Sequence, residues 1–255
     1  MKDSREIVKM GWSTNDYIRG NDRVVYIDIQ SFDASLESII DNYIAKICYG
    51  DTTFSIKKAK KYVHDFIDTE DENRKKGAVA EFFLHLYLNS VNMKQECTFK
   101  NLEENSPKKG FDGVYKDSSN EVWYMESKSG AVASCTHKSK VEEAYRDLRD
   151  KFEGTTKNDP WINAYNHVKA VDSDKSLLDM FRTLSDDFDN GIVHDLNEFN
   201  IVPCGTVLDE SNTVFDGNNI SSAVFRYFKR KDYNKLIAIC VTQRAIREFE
   251  EYLKK

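Results

Sequence analysis

The stretch GFDGVYKDSSNEVWYMESKSG, residues 110–130, carries an aspartate after a Gly-Phe step and later the triplet Glu126-Ser127-Lys128. Two carboxylates and an ammonium group are a set suited to phosphodiester hydrolysis. Carboxylates are the hard oxygen ligands that Mg²⁺ takes one or two at a time, with water and phosphate oxygens filling its shell. Such an ion polarises a phosphate and acidifies a water. A nearby ammonium stabilises the charge that develops on phosphorus. On an exposed hairpin the same residues would only be solvated, so their geometry decides.

Strand parity supplies that geometry. Alternation along EVWYMESK puts Val122, Tyr124, Glu126 and Lys128 on one face and Trp123, Met125 and Ser127 on the other. Glu126 and Lys128 then stand about 7 Å apart along the strand, at roughly 3.3 Å per residue. A turn in KDSSN centred on Ser118 predicts a hairpin with Asp112 opposite Tyr124, diagonal to Glu126 on the same face. Carboxylates this close raise each other's pKa unless a cation compensates them. The structure is expected to show that strain, or a metal, or Lys128 folded over the pair.

Glu81 is the lone acid in the apolar run GAVAEFFLHLYL. A carboxylate among Val79, Phe82 and Phe83 is costly to bury without a partner. Glu81 therefore faces either the rim or, as the favoured reading, the same site as a third carboxylate.

These residues resemble the PD-(D/E)XK nuclease superfamily, whose mixed sheet flanked by helices hydrolyses phosphodiesters with Mg²⁺. The resemblance matches Asp112 to the motif aspartate, Glu126 to the second metal ligand, Lys128 to the catalytic lysine and Glu81 to the helix glutamate. Phe111 stands where the motif's name puts proline. The segments KGAVAEFFLHLYLN, KKGFDGVYKD and VWYMESKSG, within residues 76–130, are also similar to the HamA family. HamA is the nuclease subunit of the Hachiman antiphage defence system. That likeness implies a DNA nuclease using Mg²⁺, with Mn²⁺ able to substitute, held in check and supplied with DNA by a helicase partner, HamB.

The elements that must position these groups read as an α/β (α+β) chain: a restriction-endonuclease-like mixed sheet flanked by helices. Strands are expected at 23–29, 96–101, 111–116, 121–128, 199–208 and 235–242. Helices are expected at 35–49, 56–67, 76–90 and 138–152 and at the C-terminal end, with a less regular helical stretch over 154–197. Residues 1–70 read as an α/β segment packed on a nuclease-like domain of 71–255, or as part of one continuous domain.

Composition bounds the partners. The net charge is −6, whereas a protein that grips DNA alone carries a basic excess. Its bases are local: Lys57, Lys58, Lys60 and Lys61, then Arg74, Lys75 and Lys76, then Lys108 and Lys109. The stretch 172–216 is rich in aspartate. A partner that delivers DNA is therefore expected. The apolar runs are too short to span a bilayer, and MKDSREIVKMGW lacks a signal's apolar segment. The five cysteines, at 48, 97, 135, 204 and 240, show no CxxC pairing. Reduced thiols and a cytoplasmic location are expected.

Other residues read as structure. Cys135 and His137 belong to a loop with no second ligand pair. His85 reads as a packed histidine, and Trp161 and Tyr165 as packing aromatics. Arg146, Arg149 and Lys151 lie on a charged helix that reads as a surface helix, Arg146 being the one kept as a phosphate contact. Two classes of function fit: a metal-dependent DNase, and an idle adaptor of the same fold that binds a protein partner.

Overall fold

The computed structural model describes residues 12–68, 70–99, 110–171 and 175–255. Its described strands are β1 Ser13–Arg19, β2 Asp22–Ile29, β3 Lys94–Gln95, β4 Gly113–Lys116, β5 Val122–Ala131, β6 Asn200–Leu208 and β7 Lys235–Gln243. They form one mixed sheet in the order β1-β2-β7-β6-β5-β4-β3. The inner strands β2, β7, β6 and β5 are parallel, and antiparallel partners flank them on both sides. Buried on both faces, β6 and β7 need near-continuous apolar runs, and NIVPCGTVL and KLIAICVTQ supply them.

Helices cover both faces. α1 Ala34–Tyr49, α2 Ile56–Asp68, α3 Glu72–Ser90 and α8 Ile246–Leu253 share one core with Tyr115, Trp123 and Met125. α4 His137–Phe152, α5 Pro160–Lys169, α6 Lys175–Asp189 and α7 Gly217–Phe228 share the other with Val114 and Tyr124. The alternation along β5 thus feeds two separate cores. None of the described helices is long and apolar enough to cross a membrane.

Two local features place α4 against the sheet. Thr136 and Ser139 form a capping box, with Ser139 N–H donating to Thr136 Oγ1 at 3.1 Å and Thr136 N–H donating to Ser139 Oγ at 2.9 Å. On β6, Gly205 lets the helix backbone lie directly on the strand. A Cβ there would stand 2.7 Å from the His137 carbonyl oxygen and 2.8 Å from the Val141 nitrogen.

Several expectations shift. The helix expected from residue 76 begins at Glu72, because the Asp71 carboxylate caps the N–H groups of Asn73 and Arg74 at 3.0 and 3.1 Å. The strand expected at 96–101 is the two-residue β3 at Lys94–Gln95, with residues 100–101 outside the described part, as are Lys108 and Lys109. Residues 217–228, between the last two expected strands, form α7. The polar β1 escaped the sequence reading.

The hairpin register also differs. Val114, not Asp112, pairs with Tyr124. The loop is Ser118–Asn120, closed by the Asp117 N–H donating to the Glu121 carbonyl at 3.1 Å, with Asn120 at φ +60°. It centres one residue later than expected, and each pairing moves by two. Continued past Gly113–Met125, the register sets Asp112 across from Glu126.

Candidate active site

Asp112 lies where the chain enters β4, and its neighbour Phe111 anchors it. The Phe111 ring is buried 5.0 Å from Tyr124, 5.2 Å from Trp161 and 5.6 Å from Phe152 between centroids. The Asp112 carboxylate accepts the Ser127 backbone N–H at 2.8 Å. One carboxylate is therefore tied to the strand midway between Glu126 and Lys128.

Glu126 and Lys128 share a face, as parity requires, and it is the face that carries α4. Lys128 Nζ donates to Glu126 Oε1 at 3.0 Å and pairs with the Asp147 carboxylate at 2.6 Å. Lys151, one helical turn beyond Asp147, donates to the other Glu126 oxygen. Glu126 is buried at 3% exposure, so its ionisation depends on these cations. Burial raises its pKa first and the Asp112 charge raises it further, while Lys151 and Lys128 pull it back. For Lys128, burial works against the charge, but Glu126, Asp112 and Asp147 overcome it and the net shift is upward. Lys128 is thus a fixed cation at neutral pH.

The strand beside the site has its own irregularity. Pro203 stands across from Glu126, and the β6–β7 ladder skips Val202 and Pro203. Proline has no N–H to give to that ladder.

Glu81, expected as a third ligand at the same site, stands on α3, which packs on the Tyr115–Met125 face. Its carboxylate lies 3.4 Å from His85 Nε2, and His85 Nδ1 meets the Tyr115 hydroxyl. Among the described residues, no group of three or more His, Cys, Asp and Glu side chains is placed to hold a metal ion. Asp112, Glu126 and Lys128 are brought together, and Glu81 stands on a helix of the other layer, beside His85.

Lys151 and Asp147 stand on α4, whose charge pattern reads as that of a surface helix. Their i,i+4 spacing puts them on one stripe, and only the packing of α4 turns that stripe toward β5. Arg146 is exposed, and Arg149 pairs with Asp150 at 2.7 Å and Glu153 at 3.7 Å, away from Glu126. His137 is buried, with Nε2 3.0 Å from Thr242 Oγ1, and burial pushes its pKa down to about 4. Trp161 is core. The described cysteines are all free thiols.

The donor chemistry fits Mg²⁺. Asp112 and Glu126 offer two carboxylates, and the charge of Asp112 works against ionising Glu126, a repulsion that a cation between them relieves.

Comparison with protein families finds a match between residues 9–248 and the family model described as HamA. No curated protein and no solved structure matches the chain.

Proposed function

The chain belongs to the HamA family, and from that premise we propose that it is a metal-dependent deoxyribonuclease of a Hachiman antiphage defence complex. The observation that carries this reading is the convergence of Asp112, Glu126, Lys128 and Lys151 on one sheet face. Asp112 and Glu126 would hold Mg²⁺ or Mn²⁺, which when bound supplies Lewis acidity toward a phosphate and a more acidic water.

The protein's own groups do the rest. The Ser127 N–H fixes the Asp112 carboxylate, so that ligand is oriented before substrate arrives. Lys128 keeps its proton, because three carboxylates raise its pKa despite burial. It therefore serves as a positive charge facing the phosphate rather than as a base. Asp147 holds Lys128 in place from α4. Lys151 neutralises Glu126 and is the second cation available to a phosphate. Glu81, 3.4 Å from His85 Nε2 on α3, is the further carboxylate that the resemblance assigns to the ion.

A net charge of −6 leaves little non-specific grip on DNA. A helicase partner, HamB-like, would supply the strand and restrain the nuclease until then, in the cytoplasm. The test is plasmid cleavage by the complex with Mg²⁺. Wild type should nick or degrade the plasmid, while Glu126→Ala and Lys128→Ala stay folded by circular dichroism and leave it intact. Cutting that survives both substitutions would falsify the assignment.

A further inference from the structure

Beside the site lies a cleft of about 230 Å³, lined by Gly110, Lys151, Thr156, Lys157, Asn158, Pro160 and Asn163. Its lining has two lysines, two carboxamides and a hydroxyl, and no carboxylate. The nearest acid in sequence, Asp159, is committed elsewhere, accepting the Trp161 N–H at 2.7 Å and the Ser185 hydroxyl at 2.5 Å. Lys157 is exposed and has no ion-pair partner among the described residues. Thr156 Oγ1 donates to the Asn158 carbonyl at 3.0 Å and Asn163 Nδ2 to the Asp159 carbonyl at 2.6 Å, so Lys157 and the Asn158 carboxamide are the donors this lining offers to an anion.

The cleft is built rather than incidental. Gly110 adopts φ +103°, and a Cβ there would meet the Pro160 carbonyl oxygen at 3.0 Å and Asn163 Cβ at 3.1 Å. The segment leading to Asp112 is thus pressed onto the start of α5, which makes one wall of the cleft. Lys151 joins cleft and site, because its side chain lines the cleft and its ammonium holds Glu126. At about 230 Å³ the space is smaller than the roughly 300–1,000 Å³ usual for a whole small-molecule ligand. It suits one unit of a longer chain.

We propose that this cleft seats a backbone phosphate of the nucleic-acid strand, next to the one that faces Lys128 at the site, with Lys151 standing between the two. This assignment rests on the nuclease reading above. Lys157 and Asn158 hold the neighbouring phosphate, and Asn163 shapes the wall.

The test uses Lys157→Glu and Asn158→Asp, both on an exposed loop, in the full-length chain. Binding of a short fluorescent oligonucleotide, single-stranded and duplex, is followed by anisotropy in EDTA over a series of salt concentrations. Plasmid cleavage by the complex with its partner is measured in parallel. Lys157→Glu should weaken binding about tenfold or more and flatten log K against log salt by roughly 0.7–1, the loss of one phosphate contact. In cleavage it should raise KM with kcat nearly unchanged. Unaltered affinity and salt slope in both variants, with wild-type cleavage intact, overturn the cleft while the nuclease reading stands. A wild-type complex that never cleaves overturns the nuclease reading, and the cleft assignment with it.

Discussion

The Asp112 carboxylate accepts the backbone N–H of Ser127 at 2.8 Å, so an acid at the start of one strand is tied to the peptide between two charged residues of the next. That bond serves both the hairpin and the site. Asp112→Asn keeps an acceptor and loses the charge. Asp112→Ala leaves a half-buried N–H unmet, a loss of about 1 kcal/mol. Urea unfolding should therefore rank the asparagine variant close to wild type and the alanine variant below it, while both lose plasmid cleavage. Equal stability of the two variants would remove the bond from the account.

Glu126 gives a pH signature. Its folded pKa lies above the ordinary carboxylate value of 4.5, because burial and then Asp112 disfavour its charge. For a group raised on folding, the stabilising contribution is complete below the unfolded pKa and is lost as pH rises through the folded one. The stability of wild type relative to Glu126→Gln should thus fall as pH rises from about 4.5. Urea titrations of both proteins across that range read this directly. A difference that is flat, or that grows with pH, contradicts the raised pKa.

Lys128 is held as a cation by Glu126, Asp112 and Asp147 against its burial. Lys128→Ala should lower kcat by about 10²–10³, the usual loss on removing one preorganised charge-stabilising donor. DNA binding in EDTA should change far less. A variant that loses affinity and rate in equal proportion would recast Lys128 as a binding residue.

Gly205 tests the link between fold and chemistry. A methyl group there would press on the His137 carbonyl and the Val141 nitrogen at 2.7 and 2.8 Å. Gly205→Ala should destabilise by about 1–3 kcal/mol, as overpacking does. It should also lower cleavage, because α4 carries Asp147 and Lys151. Thermal melts and cleavage rates measured together check both effects.

Much of the site was legible in period-two alternation. Val122, Tyr124, Glu126 and Lys128 do share a face, because the residues between them, Trp123 and Met125, are demanded by the other core. The register was not legible. It depends on which residue of the loop takes the left-handed conformation, and Asn120 does so rather than the expected centre turning at Ser118. The layer that holds Glu81 was hidden too. An apolar helix announces that it is covered, but not which face of the sheet covers it. Asp147 and Lys151 carry the charges of a surface helix, and Gly205, across from Lys128 on the neighbouring strand β6 though far away in sequence, lets α4 approach closely enough to bring them to Lys128 and Glu126. Strand β1 was missed because STNDYIR sits half exposed at the sheet edge and lacks an apolar run.

The most direct test of the central claim is cleavage of plasmid by the full complex in EDTA, then after Mg²⁺ is added back, for wild type and for Asp112→Asn. The account predicts intact plasmid in EDTA, cleavage restored by Mg²⁺ in wild type, and none restored in the variant. Cleavage in EDTA, or restoration in Asp112→Asn equal to wild type, would contradict it.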